Sequence, residues 1–149
     1  MAKSKLLRMD NVLFVVDNLE AVKAFFLELG FEVEGETTVG GPIVDRLIDL
    51  KNVQATLVFM RTPDGQGCIE LDKFHTPEPI RTGPEKAQVN ELGMRRIMLA
   101  VDHIDELVGR LLANGAELVG EVVQYGDSHR LAYVRGPEGI IVGLAGQLE

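Results

Sequence analysis

Apolar residues along the chain follow two periods, one typical of strands and one typical of helices. Residues 8–16 and 95–101 are dense in Val, Leu, Ile, Phe and Met, as are strands buried on both faces. After each of these runs, apolar residues recur at the spacing of one helix face. The pattern predicts a strand followed by a helix at two places in the chain. The residues with helical spacing are Leu19, Val22, Phe26 and Leu29 in the first copy and Ile104, Leu107, Leu111 and Leu112 in the second.

The ends of the two helices are also marked in the sequence. Asp17 and Asp102 stand just before the helical spacing begins, and each can accept backbone N–H bonds as an N-cap. Gly30 and Gly115 stand where each helix should stop, because a residue at that position commonly needs a positive φ. We therefore expect helices bounded by these residues.

Three further strands are expected after each helix. Pro-acid-Gly turns at 63–65 and 137–139 separate the last two strands of each set. Residues 40–50 fit either a short helix or a strand. Each copy thus has the order βαβββ. The strand segments read FEVEGE, VQATLVFM and CIELDKF in the first copy and AELVGEVV, RLAYVR and IIVGLAG in the second.

The two copies are an internal repeat. Residues 9–36 align without a gap on residues 94–121, and most positions that differ pair apolar with apolar. The same order of elements twice predicts a duplicated supersecondary unit. Identical pairs include Asp17/Asp102, Gly30/Gly115 and Glu36/Glu121.

The length of 149 residues is that of one ordinary domain. We expect one domain over 1–149, with a first module at about 7–75 and a second at about 92–149. Residues 76–91 contain prolines and mixed charge and are expected to link the modules.

Charge and cysteine content narrow the range of partners. The net charge is −8, which disfavours binding to nucleic acids and to anionic membrane surfaces. Cys68 is the one cysteine, so an intrachain disulfide is impossible and a reducing compartment is expected. The apolar run near the start is too short for a signal sequence or a membrane span. We expect a cytoplasmic protein whose partner is a small molecule.

The duplicated segments, with the two Pro-acid-Gly turns, resemble the vicinal oxygen chelate superfamily. That superfamily contains glyoxalase I, bleomycin-resistance proteins and extradiol dioxygenases. The resemblance implies an α+β fold in which two βαβββ modules form an open curled barrel around a ligand cavity. It also implies that the protein is able to dimerise, so a homodimer is possible.

Metal enzymes of this superfamily usually carry a ligand on the first and last strand of each module. The resemblance places these positions at Asn11, Glu70, Arg96 and Gly143. Glu70 alone has a side chain well suited to a divalent ion, whereas Arg96 is permanently cationic. We therefore expect no usual metal centre and no cofactor, with a divalent metal possible only through a non-standard site.

Side-chain alternation puts these positions on one face of each strand. If the resemblance holds, that face lines the cavity. We hypothesise that Arg96 replaces the positive charge of the metal and pairs with Glu70, where it could bind a carboxylate, phosphonate or enolate-like oxygen. A purely structural Arg–Glu pair is the alternative, and Gly143 would leave room for a bulky ligand. The predicted ligand-binding residues are Asn11, Glu70, Arg96, Met98, Tyr125 and Gly143.

Acid–base chemistry would need a titratable group beside the ligand. His75 and His129 could act near neutral pH, so the catalytic candidates are Glu70, His75 and His129. Surface or structural roles are the alternative for both histidines, and His103 is expected to cap a helix or face solvent.

Three functions remain open from the sequence. The first is a metal-free binding protein similar to the bleomycin-resistance branch. The second is a lyase, isomerase or dioxygenase of the glyoxalase type with an altered metal site or metal-free acid–base chemistry. The third is a regulatory module whose cavity is filled by its own side chains.

Overall fold

The computed structural model describes residues 2–148 and divides them into two compact units. The first unit runs up to Val16 and continues over Gly30–Pro79, and the second contains Asp17–Leu29 and the chain from Ile80 onward. The helices are α1 (Leu19–Leu29), α2 (Pro42–Ile48) and α3 (Ile104–Ala113), with a 3-10 turn at Pro137–Gly139. The strands are β1 (Val12–Val15), β2 (Glu32–Gly40), β3 (Gln54–Arg61), β4 (Cys68–Thr76), β5 (Arg96–Val101), β6 (Glu117–Leu118), β7 (Val123–Tyr125), β8 (His129–Arg135) and β9 (Ile141–Gln147).

Each unit contains one mixed sheet, and the two sheets share a topology. The first has the order β1-β4-β3-β2, and the second has the order β5-β9-β8-β6 with β7 also paired to β8. In each, the first strand lies parallel to the last, while the remaining pairs are antiparallel. The α+β fold and the duplicated strand order predicted from the sequence are confirmed. Helix α1 belongs to the first repeat by sequence but groups with the second unit.

The two central strands of each sheet have one buried face. In the first sheet, alternate residues of β3 and β4 are almost inaccessible to solvent, and in the second sheet the same holds for β8 and β9. Helix α3 packs on β8 and β9, and α1 packs on α3. Period-two alternation then leaves the opposite face of each sheet to carry the polar groups. The buried strand residues are Val58, Met60, Ile69 and Leu71 in the first sheet and Ala132, Val134, Val142 and Leu144 in the second.

The N-termini of the two main helices lie one residue later than the sequence predicts. The side chain of Asn18, rather than Asp17, caps α1 by accepting the Ala21 N–H at 3.1 Å. His103, rather than Asp102, is the N-cap of α3, in a left-handed conformation with no side-chain capping bond. Asp17 and Asp102 were wrong as caps because the chain makes one more turn residue before each helix starts. Gly30 and Gly115 end the helices with φ of 109° and 100° as predicted.

Glu138, in the turn before β9, completes the start of α1. Its two carboxylate oxygens accept the backbone N–H groups of Asp17 at 2.6 Å and Asn18 at 3.0 Å. These donors precede the first helical hydrogen bonds, and a negative charge is favourable there. The turn of the second repeat therefore anchors the helix of the first.

The segment that the sequence left open between helix and strand is the helix α2. Pro42 stands at its first turn, where a missing N–H costs nothing. It ends at Asp49, which adopts a left-handed conformation, and Asp45 then accepts the N–H groups of Asn52 and Val53 at 3.0 and 2.9 Å. The linker after β4 holds no helix or strand between residues 77 and 95. Within residues 2–148, no helix has both the length and the apolar character needed to span a bilayer.

Candidate functional site

The open face of the first sheet carries polar side chains in an apolar setting. Strand β4 pairs with β1 so that Leu13 lies opposite Glu70 and Val15 lies opposite Asp72. Residues directly opposite each other share a face, so all four side chains point to the same side. Asn11, just before β1, donates from Nδ2 to Glu70 Oε1 at 3.3 Å. This hydrogen bond confirms that Asn11 and Glu70 lie together.

Asp72 is the buried acid of this face, and the sequence did not single it out. Its side chain is 8% exposed, and its Oδ1 has no hydrogen-bond partner. Burial, followed by the hydrogen bond and the negative charge of Glu70, raises the pKa of Asp72 to about 8. Asp72 therefore keeps its proton at neutral pH. The signal that could have found Asp72 is its period-two spacing from Glu70.

The open face of the second sheet presents a guanidinium. The Cζ of Arg96 lies 4.7 Å from the centre of the Tyr133 ring, a cation–π distance. Its Nε also donates to Met98 Sδ at 3.4 Å. Strand β9 places Gly143 between Met98 and Tyr133 in the register. Arg96, Met98 and Gly143 thus form one cluster, and Tyr133 is a member that the sequence reading missed.

The space above Gly143 is not vacant, contrary to the expectation that it leaves room for a bulky ligand. A Cβ at this position would lie 2.1 Å from Met98 Sδ and 3.2 Å from Tyr133 Cε1. The thioether of Met98 therefore occupies the volume that a side chain would need. The flexible Met side chain fills such gaps readily, which alternation along the strand could not reveal.

The histidine candidates are held by other polar groups. His75 Nε2 lies 2.8 Å from Thr56 Oγ1. Thr56 pairs with Lys73, the neighbour of Asp72 in the strand, so His75 lies on the side opposite to Glu70. The structure does not bring His75 and Glu70 together.

His129 and Tyr125 lie at one end of the second sheet. His129 Nδ1 is 2.6 Å from Ser128 Oγ, and its backbone pairs with Tyr125 across β7 and β8. Tyr125 is 71% exposed. The role of His129 as an acid or base and that of Tyr125 as a ligand contact stay predictions. The pairing of Arg96 with Glu70 also stays a prediction, because these two residues belong to different units.

A divalent metal does not fit the side chains at the four positions implied by the resemblance. Glu70 is a carboxylate, but Asn11 already donates to it, and Arg96 carries a fixed positive charge. Gly143 has no side chain, and Met98 fills the space beside it. In the described part of the chain, no three His, Cys, Asp or Glu side chains come together as a metal site. Hard divalent ions need several oxygen donors, which these residues do not supply.

Comparison with known proteins places this geometry in a family. Residues 8–144 match the profile of the Glyoxalase/Bleomycin resistance protein/Dioxygenase superfamily. A glyoxalase family protein from Bacillus cereus is 50% identical, with a TM-score of 0.93 over 100% of this chain and 99% of that one. No curated protein matches the chain.

More distant solved structures share the fold. The fosfomycin resistance protein FosX from Listeria monocytogenes is 15% identical, with a TM-score of 0.59 over 97% of this chain and 96% of that one. TnmS3, an antibiotic binding protein from a Streptomyces species, is 19% identical, with a TM-score of 0.55 over 97% of this chain and 100% of that one. At these identities the likeness shows the fold alone.

Proposed function

Because the chain belongs to the Glyoxalase/Bleomycin resistance protein/Dioxygenase superfamily, we propose that it binds a small molecule on the open face of a sheet. In this proposal it does so without the divalent metal centre of the family's enzymes. The observation that carries the proposal is the set of side chains at the metal positions. Asn11 and Glu70 bind each other, Arg96 stacks on Tyr133, and Gly143 contributes no donor. Such a set suits recognition of a ligand better than coordination of an ion.

The apolar part of the open faces supports a small-molecule ligand. Leu13, Val15 and Met98 are 45%, 55% and 48% exposed, although they lie within strands. Apolar surface beside a few converging polar groups is typical of ligand sites. The description of TnmS3 as an antibiotic binding protein is consistent with this reading, as an analogy of fold.

The polar groups set the orientation of the ligand. The stacked guanidinium of Arg96 keeps a fixed plane and presents N–H donors suited to a carboxylate, phosphonate or enolate-like oxygen. Tyr133 holds that plane by the cation–π contact. An anionic group of the ligand would therefore bind at the second sheet.

Titration of the ¹⁵N-labelled protein with benzoate and with benzyl alcohol tests the proposal. We expect saturable amide shifts in β1, β4, β5 and β9, with benzoate shifting the Arg96 side-chain resonance. Arg96→Met should weaken benzoate by about tenfold, since charged hydrogen bonds contribute roughly 1.5–3 kcal/mol. Arg81→Met, which removes the same charge in the linker, serves as the control. An absence of saturable shifts for every fragment in a broad screen would contradict the proposal.

One observation favours a second candidate, a metal-free lyase or isomerase. Glu70 and Asp72 lie on one open face, and the raised pKa of Asp72 would let this residue exchange a proton near neutrality. Turnover of an α-hydroxycarbonyl compound that is abolished by Glu70→Gln would establish the enzyme.

A further inference from the structure

The carboxyl pair of Glu70 and the buried Asp72 in the first sheet points to one class of ligand. We propose that Glu70 and Asp72 bind the ammonium group of an organic cation, whose hydrocarbon part lies on the apolar residues of the neighbouring strands. This inference rests on the proposed function, because it assumes that the open face of the first sheet holds a ligand.

The first observation is an unsatisfied acceptor. Asp72 is more than nine-tenths buried, yet its Oδ1 has no hydrogen-bond partner. A buried polar atom without a partner is costly and is rare in folded proteins. A ligand that brings an N–H donor to this oxygen would remove that cost, whereas an acceptor or an apolar group would not.

The second observation is that Glu70 has acceptor capacity left beside Asp72. Asn11 donates to one of its two carboxylate oxygens, and that bond is long at 3.3 Å. A carboxylate accepts about four hydrogen bonds, and an ammonium group donates three. One ammonium could therefore bind Asp72 Oδ1 and Glu70 together.

The surroundings select an organic cation over a metal ion. Leu13 and Val15 flank the pair on β1, and Leu57 and Phe59 lie opposite Asp72 and Glu70 on β3. These four side chains offer hydrocarbon and an aromatic ring, not oxygen ligands. The hydrocarbon part of an alkyl- or arylammonium ion can pack against these side chains, whereas a hard divalent ion would find few of the oxygen ligands that it needs there.

Long-range charge acts in the same direction. The chain carries a net charge of −8, which raises the local concentration of cations and the rate at which they associate.

The test compares three probes of similar shape: benzylammonium, benzyl alcohol and benzoate. Titrations followed by ¹⁵N amide shifts at neutral pH should show benzylammonium binding at least tenfold more tightly than benzyl alcohol, because its hydrogen bonds are charge-assisted. The largest shifts should fall on β1 and β4. Benzyltrimethylammonium has the charge but no N–H. Its affinity relative to benzyl alcohol should therefore be less than a third of the ratio measured for benzylammonium.

Two variants test whether the preference for benzylammonium over benzyl alcohol depends on Glu70 and Asp72. Asp72→Asn and Glu70→Gln should each reduce benzylammonium affinity at least fivefold and leave benzyl alcohol unchanged. Asp49→Asn makes the same carboxyl-to-amide replacement in the loop after α2, at a left-handed position that Asn tolerates, and should leave all affinities unchanged. Circular dichroism of each variant confirms that it is folded, and either of the two variants is sufficient if the other fails to fold.

Equal affinities for benzylammonium and benzyl alcohol would overturn the inference and leave the proposed function standing, since the face would still bind a small molecule. Displacement of benzylammonium by stoichiometric Mn²⁺ or Mg²⁺ would overturn it in favour of a metal site. Failure of all the probes and of a wider fragment screen would overturn both.

Discussion

The two sheets of this chain have the same topology but opposite chemistry on their open faces. In the first, Glu70 and Asp72 place two carboxyl groups beside Asn11. In the second, the equivalent end of the sheet holds the guanidinium of Arg96, stacked on Tyr133. One open face is therefore acidic and the other basic, although the charged residues lie on the last strand β4 in the first sheet and on the first strand β5 in the second.

The covered faces did not diverge in this way. Leu71 of β4 and Leu144 of β9 occupy matching places in the two Pro-acid-Gly and last-strand segments, and both are fully buried. Packing at interior density restricts a buried position to side chains of similar volume. Much of each open face is exposed, as at Leu13, Val15 and Met98, and is less restricted by packing, and it is on these faces that the two sheets differ.

The largest losses of stability are expected from substitutions in the covered faces, and they should be equal in the two sheets. Leu71→Ala and Leu144→Ala should each lower the free energy of unfolding by roughly 2–5 kcal/mol, because each leaves a cavity in a buried face. Urea denaturation followed by circular dichroism measures both. If either substitution lowered the free energy of unfolding by less than about 1 kcal/mol, the two covered faces would not be equivalent.

The next effect belongs to the first sheet alone and depends on pH. Since the pKa of Asp72 is raised from 3.8 to about 8, this side chain stays protonated to a higher pH in the folded state than in the unfolded state. Asp72 therefore costs no stability below pH 4 and becomes progressively destabilising as the pH rises to about 8. Asp72→Asn should be neutral at pH 4 and stabilising at pH 8.5, on the order of a few kcal/mol. A stability difference independent of pH would contradict the raised pKa.

The two Pro-acid-Gly turns provide a smaller contrast. Glu138 of the second turn accepts two N–H groups at the start of α1, whereas Asp64 of the first turn bonds locally to Thr62 and Gln66. Glu138→Ala should cost about 1–2 kcal/mol, as the loss of an N-terminal cap does. Asp64→Ala, the matched control, should cost less than about 1 kcal/mol. Equal costs in chemical denaturation would remove this difference between the repeats.

The smallest effect is expected at the guanidinium. Arg96→Met should lower stability by only about 0.5–1 kcal/mol, the usual contribution of an exposed cation–π contact, while it weakens benzoate about tenfold as described above. Chemical denaturation measures the first value. A loss of several kcal/mol would instead make Arg96 a structural residue.

The repeated order of elements was predictable because it follows from local periodicity and turn chemistry. Residues 12–15 and 96–101, the helix stops at Gly30 and Gly115, and both Pro-acid-Gly turns lie where the sequence indicated. The start of α1 also depends on Glu138, which accepts the N–H of Asn18 from 120 residues away. Such long-range contacts leave no local pattern.

The site was predictable only in part. The resemblance implied that Asn11 and Glu70 line the same cavity, and the hydrogen bond between them shows that they lie together. Period-two spacing puts Asp72 on the face of Glu70, but its burial could not be read from the spacing. Tyr133 required the register of neighbouring strands, and the filling of the space above Gly143 depends on the rotamer of Met98. The position of His75 on the opposite side from Glu70 follows from its bond to Thr56.

The central claim is that these faces bind a small molecule where related enzymes hold a metal. Elemental analysis of the protein purified without chelator, then incubated with excess Mn²⁺, Ni²⁺, Zn²⁺ or Fe²⁺ and desalted, tests it most directly. The account predicts far less than one metal ion per chain and no difference between the unmodified protein and Glu70→Gln. Retention of one equivalent of a metal that Glu70→Gln abolishes would contradict it.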